Sequence, residues 1–346
     1  MEQGVLAECP GTQHGAERSG KGGPVVESQA VVVPPAGATI FLVATVTPGH
    51  EDTVRGLLED VAGLRRSVAY RAPEDLLTCV VGIGSAVWDR LFTGPRPRGL
   101  HPFVELTGEH HRAPSTPGDL LFHLRARRTD LCFELARLLT ERLRGAVTVV
   151  DEVHAFRYFD ERDLLGFVDG SENPQGRPAH ESVFIGEEDP DFRGGSYVTV
   201  QKYLHDLPAW QALPDDEQAK VIGRTKAANV ELPDGAKPAD SHVALTTITG
   251  EDGGERKIVR ENMPFGTVGE GEFGTYFIGY ARTPDVTEQM LRNMFLGEGR
   301  ATHDRILDFS TAITGCLFHV PTADFLDDLP AAPGSLEPGG PGGDRS

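Results

Sequence analysis

Gly166-Phe167-Val168-Asp169-Gly170-Ser171-Glu172-Asn173-Pro174 stands near the middle of this 346-residue chain, and a similar order of elements runs on either side of it. Upstream, Ile40 to Val46 reads as a strand. About Glu51 to Val68 reads as an amphipathic helix, because Val54, Leu57, Leu58, Val61 and Leu64 recur at helical spacing. Leu77 to Ile83 and Leu120 to Leu124 have the look of buried strands. Thr129 reads as an N-cap ahead of the helix face Leu131, Leu135, Leu138 and Leu139, and Val147 to Phe159 closes the half as a strand. Downstream, Ser196 to Tyr203 is a strand, Pro214 to Arg224 a helix and Val243 to Thr249 a strand. Thr275 to Ala281 is a further strand, Pro284 to Leu296 and Asp304 to Thr314 are helices, and Leu317 to Val320 is a last short strand.

Strand–helix–strand twice in each half predicts an α+β protein of two tandem ferredoxin-like domains, each an antiparallel sheet with helices on one face. The expected domains are residues 38–165 and 166–328. Residues 1–37 are rich in Gly, Glu, Ser and Pro and residues 329–346 in Pro and Gly, and both read as disordered tails.

Lys and Arg total 33 against 52 Asp and Glu, a formal charge of −19. Such a surface repels phosphates, which argues against nucleic-acid and anionic-membrane partners. Cys9, Cys79, Cys132 and Cys316 form neither CxxC nor CxxCH, so zinc, iron–sulfur and covalently attached haem lose their usual sequence support. Cys79, Cys132 and Cys316 lie in apolar runs and read as small buried hydrophobes. Unclustered cysteines, no apolar run of membrane-spanning length and no signal-type N-terminus predict a cytoplasmic protein.

Two readings of the central stretch stand side by side. Asp-Gly and Asn-Pro both punctuate chains, so the stretch can be a plain turn. Alternatively, its flanking glycines let the backbone approach a flat ligand while Phe167 and Val168 shelter the Asp169 carboxylate. His242, in Asp240-Ser241-His242-Val243, is either a structural histidine at a strand start or the single axial nitrogen of a haem iron. Arg260 and Asn262 have a plain reading as surface ion-pair and turn residues, and Arg224 can simply cap a helix C-terminus.

The segments GFVDGSENP, DFRGGSYVTVQKYLHDL, IGRTK, SHV, RENMPFG, GTYFIGYA and DFSTAITG follow one another between Ile40 and Phe325. In that order the chain resembles the dye-decolorizing peroxidases, most closely their B-type bacterial branch. The resemblance implies one haem b per chain, held mainly by the C-terminal domain. It also implies reduction of hydrogen peroxide through a ferryl intermediate and oxidation of bulky aromatic donors such as dyes and phenols. It gives His242 the role of iron ligand, Asp169 and Arg260 those of catalytic residues on the peroxide side, and Asn262 that of assisting them. It assigns Arg224 to a haem propionate and places Phe277 and Phe309 at the cofactor. A carboxylate behind the iron ligand is expected, with Asp304 as candidate and Asp308 as alternative.

Cleaving a bound peroxide heterolytically needs a base that accepts and returns a proton and a fixed cation where negative charge builds, which suits Asp169 and Arg260. Trp88, Trp210 and Tyr203 are either surface electron relays to bulky donors or core packing. Two alternatives compete: a haem-binding, haem-transfer or iron-removing protein, and an interaction module without cofactor. A homo-oligomer is expected from the resemblance. Some relatives are packed in nanocompartments by an apolar C-terminal peptide, and the tail Gly334 to Pro341, with Leu336 alone as an apolar anchor, argues against that here.

Overall fold

The computed structural model describes residues 26–299 and 301–334. Among these the strands are β1 (Ala38–Val46), β2 (Thr78–Gly84), β3 (Leu106–Thr107), β4 (Arg112–Ala113), β5 (Leu120–Ala126), β6 (Val147–Phe156), β7 (Ser196–His205), β8 (Ile248–Thr249), β9 (Glu255–Arg256), β10 (Val259–Arg260), β11 (Met263–Thr267), β12 (Glu272–Ala281), β13 (Ser310–Ala312) and β14 (Cys316–Val320). The helices are α1 (Glu51–Ala69), α2 (Ser85–Leu91), α3 (Thr129–Arg142), α4 (Arg177–Val183), α5 (Leu207–Gln211), α6 (Asp215–Ile222), α7 (His242–Thr246), α8 (Asp285–Leu296) and α9 (Ala323–Asp327).

The two expected antiparallel sheets are present, but they join. Phe318 and His319 of β14 pair with Gly84 and Ile83 of β2, giving the continuous order β10-β12-β7-β14-β2-β5-β1-β6, with β11 on β12 and β13 on β7. The sheet coils until β6 approaches β11, and Phe41 of β1 stacks on Tyr276 of β12 with ring centroids 4.1 Å apart. Alternation along each strand then divides the core. Phe41, Val43, Val198, Val200, Tyr276, Ile278, Tyr280 and Phe318 point inward into one shared core. On the outer face, Ile40, Leu42, Val81 and Ile83 meet α1, α2 and α3 through Val54, Leu57, Leu58, Trp88, Leu131 and Leu135. The apolar stripe read from helical spacing is the buried stripe of α1, with Val54, Leu57, Leu58 and Val61 fully covered.

Several local expectations fail for identifiable reasons. Val243 to Thr249 is not a strand: α7 occupies His242–Thr246, and only Ile248–Thr249 pairs, with β9. The β-branched residues favour extension, but buried Leu245 and a hydrogen bond from Asn293 of α8 to the Leu245 carbonyl (2.8 Å) hold the helical turn. Asp304 to Thr314 is not a helix but a 3-10 turn, Arg305–Asp308, followed by β13. Helix α3 begins at Thr129 with Arg128 in the cap position and no side-chain cap, so Thr129 is not the N-cap.

Residues 26–37, expected to be disordered, pack against the body. The Gln29 side chain donates to the carbonyls of Val81 and Pro321 (2.9 Å each) and accepts from the Val81 N–H (2.8 Å), and Val31 is buried. At the other end, Pro330 and Ala331 accept hydrogen bonds from Arg55 and Thr93. Residues 1–25 and 335–346 lie outside the described residues, as does Cys9. Cys79, Cys132 and Cys316 are free and buried, and burial pushes the Cys79 and Cys132 thiols up to about 12. Among the described residues no helix is long and apolar enough to cross a membrane.

Candidate active site

Residues of β7 and β12 that point away from the shared core face a cavity instead. Tyr203 pairs with Thr275 and Gln201 with Phe277 across the two strands, and with His205 they line its floor. The cavity is open to solvent on one side and encloses about 1470 Å³ with its mouth included. His242, Asp169, Arg260, Asn262, Arg224 and Phe277 all line it. The structure thus brings six of the eight expected site residues to one place.

Phe309 is not among the lining residues. It packs edge-on to Trp210 (5.2 Å between centroids) in the small cluster formed by Leu165, Phe167, Val221 and Ile222. Asp304 lies behind His242. It is fully buried, its Oδ1 caps the Arg305–Asp308 turn by accepting from the Ile306 N–H (3.0 Å), and its Oδ2 meets His242 Nδ1 at 2.7 Å. Asp308, the alternative, contacts His111 and His303 and does not meet His242.

His242 is the first residue of α7, following buried Ser241, whose hydroxyl donates to the Pro238 carbonyl (2.7 Å). Because Asp304 takes Nδ1, Nε2 is the nitrogen left for a ligand. The other histidine in the cavity wall, His205, has both ring nitrogens engaged, by Ser310 Oγ and Thr275 Oγ1 at 2.8 Å each. Burial holds His205 down at about 4, so it stays neutral and occupied.

The central stretch is both a turn and a site wall. Gly166 (φ +92°) and Gly170 (φ +71°) adopt the left-handed conformation that other residues reach only with strain. A Cβ on Gly166 would strike Lys226 Cε at 2.7 Å. Lys226 Cε is the far end of a flexible side chain that can move aside, so it is the left-handed backbone of the turn that calls for glycine there. Asp169 donates its own N–H to the Glu161 carbonyl (2.9 Å), and its Oδ1 accepts from the Gly170 N–H (2.7 Å), leaving Oδ2 open.

Arg260 sits on edge strand β10. Asn173 holds its backbone at both ends, accepting from the Arg260 N–H (2.9 Å) and donating to its carbonyl (2.6 Å). The next residue, Glu261, turns the other way into an ion pair with buried Arg125 of β5. Among the described residues nothing pairs with the Arg260 guanidinium. Arg224 differs: it donates to Glu172 Oε1 (2.8 Å), Asn229 Oδ1 (3.0 Å) and the Asn229 carbonyl (2.8 Å). Asn262 Oδ1 accepts from the Ile278 N–H (3.3 Å).

Two participants were not legible in advance. Asn173 reads as a turn residue before Pro174, and its clamp on Arg260 spans 87 positions. Asp163, also in the cavity wall, is pushed up to about 7 by burial, countered by the Phe167 N–H and reinforced by the charge of Asp169. Trp88 and Trp210 are buried cores of their own clusters, and Tyr203 is buried and bonded to Gln201 Oε1 (2.9 Å). None of the three lies at the surface.

A cavity imidazole with a free nitrogen and a buried carboxylate behind it, sharing its walls with an open carboxylate oxygen and an unpaired guanidinium, has the parts of a haem peroxidase. Residues 28–157 match the family model described as Dyp-type peroxidase, N-terminal, and residues 160–325 that described as Dyp-type peroxidase, C-terminal. A dye-decolorizing peroxidase of Mycolicibacterium paratuberculosis is 61% identical over 318 residues, covering 92% of this chain and 90% of its own. The encapsulated DyP-type peroxidase from Mycobacterium smegmatis aligns with a TM-score of 0.88 at 59% identity, over 89% of this chain and 100% of its own. DyPB from Rhodococcus jostii RHA1 aligns at 0.85 and 57%, over 87% and 97%. The chain belongs to the Dyp-type peroxidase family, among its DypB-type members.

Proposed function

We propose that this chain holds one haem b through His242 Nε2 and uses Asp169 and Arg260 to activate hydrogen peroxide for the oxidation of aromatic donors. The carrying observation is the split of His242: Nδ1 bonded to Asp304, Nε2 free in the cavity. The residues fit the group. Buried Gln201 in the cavity floor has an amide nitrogen without a partner among the described residues, as expected where a bound group completes the wall. Phe277 offers the cofactor an apolar contact. When bound, haem supplies the iron that ligates peroxide and stores the oxidising equivalents.

The protein's own residues handle protons and charge. Asp169 Oδ2, the oxygen not taken by Gly170, accepts a proton from hydrogen peroxide and returns it to the departing oxygen. The Arg260 guanidinium, held through its backbone and free at its tip, stabilises the negative charge that builds there. Asn262 assists from two residues further along, between β10 and β11. Asp304 keeps His242 in the tautomer that presents Nε2 and makes it a stronger donor. Arg224 anchors a propionate by exchanging its contact with Glu172, a partner that is half exposed and so given up at low cost.

The two-domain division at residues 38–165 and 166–328, a homo-oligomeric state and a cytoplasmic location complete the proposal. The Mycobacterium smegmatis relative is an encapsulated protein. Purified protein reconstituted with haem b tests the central reading. The expected result is a Soret band saturating near one haem per chain, and dye oxidation dependent on hydrogen peroxide. Stoichiometric haem without any peroxide-dependent turnover would favour haem binding or transfer instead.

A further inference from the structure

Away from the haem cavity, two imidazoles converge on one carboxylate. His111 Nε2 lies 3.1 Å and His303 Nε2 2.9 Å from the same oxygen, Asp308 Oδ1, and the three donor atoms lie within 4.8 Å of one another. The His111 and His303 rings meet at 4.6 Å between centroids, and His110 stands 5.3 Å from His303. We propose that His111, His303 and Asp308 form a binding site for a divalent transition-metal ion of the zinc class, with solvent completing its coordination.

Donor chemistry and spacing both support this. Two imidazole nitrogens and one carboxylate oxygen are a ligand set that zinc takes, with bonds near 2.0–2.2 Å, so tetrahedral ligands stand about 3.3 Å apart. The observed 2.9 and 3.1 Å need only a few tenths of an ångström of opening. His303 Nδ1 is buried with no partner among the described residues, so its ring is held in place from the Nε2 side, by what gathers around Asp308 Oδ1. Asp308 is partly exposed, which leaves room for water on the ion.

The fold has prepared the two halves separately. His110 and His111 occupy the turn between β3 and β4, closed by the Gly108 N–H on the His111 carbonyl (2.9 Å). Gly108 lies so close to the Phe295 carbonyl at the end of α8 that a Cβ there would stand 2.0 Å from it. His303 precedes the 3-10 turn that Asp304 caps, and Asp308 is its last residue. One ligand thus comes from residues 28–157 and two from residues 160–325, and an ion would tie the N-terminal hairpin to the turn that carries the carboxylate behind His242. Asp308, without a role in holding His242, has one here.

Calorimetric titration of the chelator-treated, desalted holoprotein with zinc chloride tests the site. The expected result is saturable binding near one ion per chain, weakened at least about tenfold in Asp308→Asn and in His303→Gln, each with the Soret band of the wild type. Zinc should also raise the unfolding temperature of the wild type and leave that of the variants unmoved, because binding only the folded state stabilises it. If His303→Gln fails to fold, His111→Gln, on the hairpin turn, takes its place. Absence of binding to the wild type, or wild-type affinity in the folded variants, overturns the proposal.

Discussion

Asp304 and Asp169 serve the same cavity from two regions built on different plans. Asp304 is fully buried, with one oxygen capping a turn and the other on His242 Nδ1, so neither has freedom to move. Asp169 has one oxygen on the Gly170 N–H and the other open, and Arg260 beside it in the cavity wall is gripped only by its backbone. A ligand to iron must hold one orientation, and side-chain-to-side-chain bonding of buried groups provides that. A group that passes protons, or that meets charge appearing late in a reaction, must keep its reacting atoms unoccupied. Backbone clamps position such a group without consuming them.

The largest expected effect tests the rigid side. His242→Ala should lose most of its haem, because His205, the other imidazole in the cavity wall, has both nitrogens engaged. Full haem content with an unchanged axial-nitrogen spectrum in that variant would break the comparison at its root.

Next comes the open side. Arg260→Leu should slow the reaction of the ferric protein with peroxide by about 10²–10³-fold, roughly 3–4 kcal/mol, the usual cost of deleting one preorganised charge-stabilising donor. Asp169→Asn should slow it less, since a water can carry the proton but not replace the charge. Stopped-flow mixing at matched haem occupancy measures both, and a nearly unaffected Arg260→Leu beside an inert Asp169→Asn would reverse the ranking.

Asp304→Asn sharpens the contrast more gently. Asparagine keeps an oxygen for the Ile306 N–H, but its amide nitrogen cannot accept from Nδ1, and haem affinity should fall by about 10–100-fold. Haem transfer to apomyoglobin reports the change; an unaltered transfer rate would mean that Asp304 does no more than cap its turn.

The smallest effect concerns Asp163. Its carboxyl is raised from the ordinary 3.8 to about 7, so the folded chain keeps a proton that the unfolded chain releases in between. Stability therefore falls as pH rises through that window, and above pH 7 the ionised buried carboxylate persists as a cost. Asp163→Asn removes the titration and should stabilise the protein at pH 8 relative to pH 5 by about 1–2 kcal/mol, after allowance for partial exposure. Thermal unfolding at the two pH values checks this; equal shifts at both would place the proton elsewhere.

Elements whose apolar period is long and regular were legible from the chain. The α1 stripe, the strands at Ile40, Leu77, Leu120 and Ser196, and the helix at Pro284 all lie where local pattern put them, within a few residues. Short elements near the site were not. Residues 243–249 are rich in β-branched side chains yet begin as a helix, and residues 304–314 form a turn and a strand in place of the expected helix, because Asn293 bonds the Leu245 carbonyl and His205 bonds Ser310 from distant positions. The ordered motifs by themselves determined the family and named His242, Asp169 and Arg260, since family membership is carried by residue identity along the chain. Tertiary structure alone decided that Asp304 rather than Asp308 backs His242, that Phe309 faces Trp210, and that Asn173 grips Arg260. Each of these is a contact between residues far apart in sequence or a choice between two like residues on one short turn. Local physical chemistry fixes neither; the packing of buried groups does.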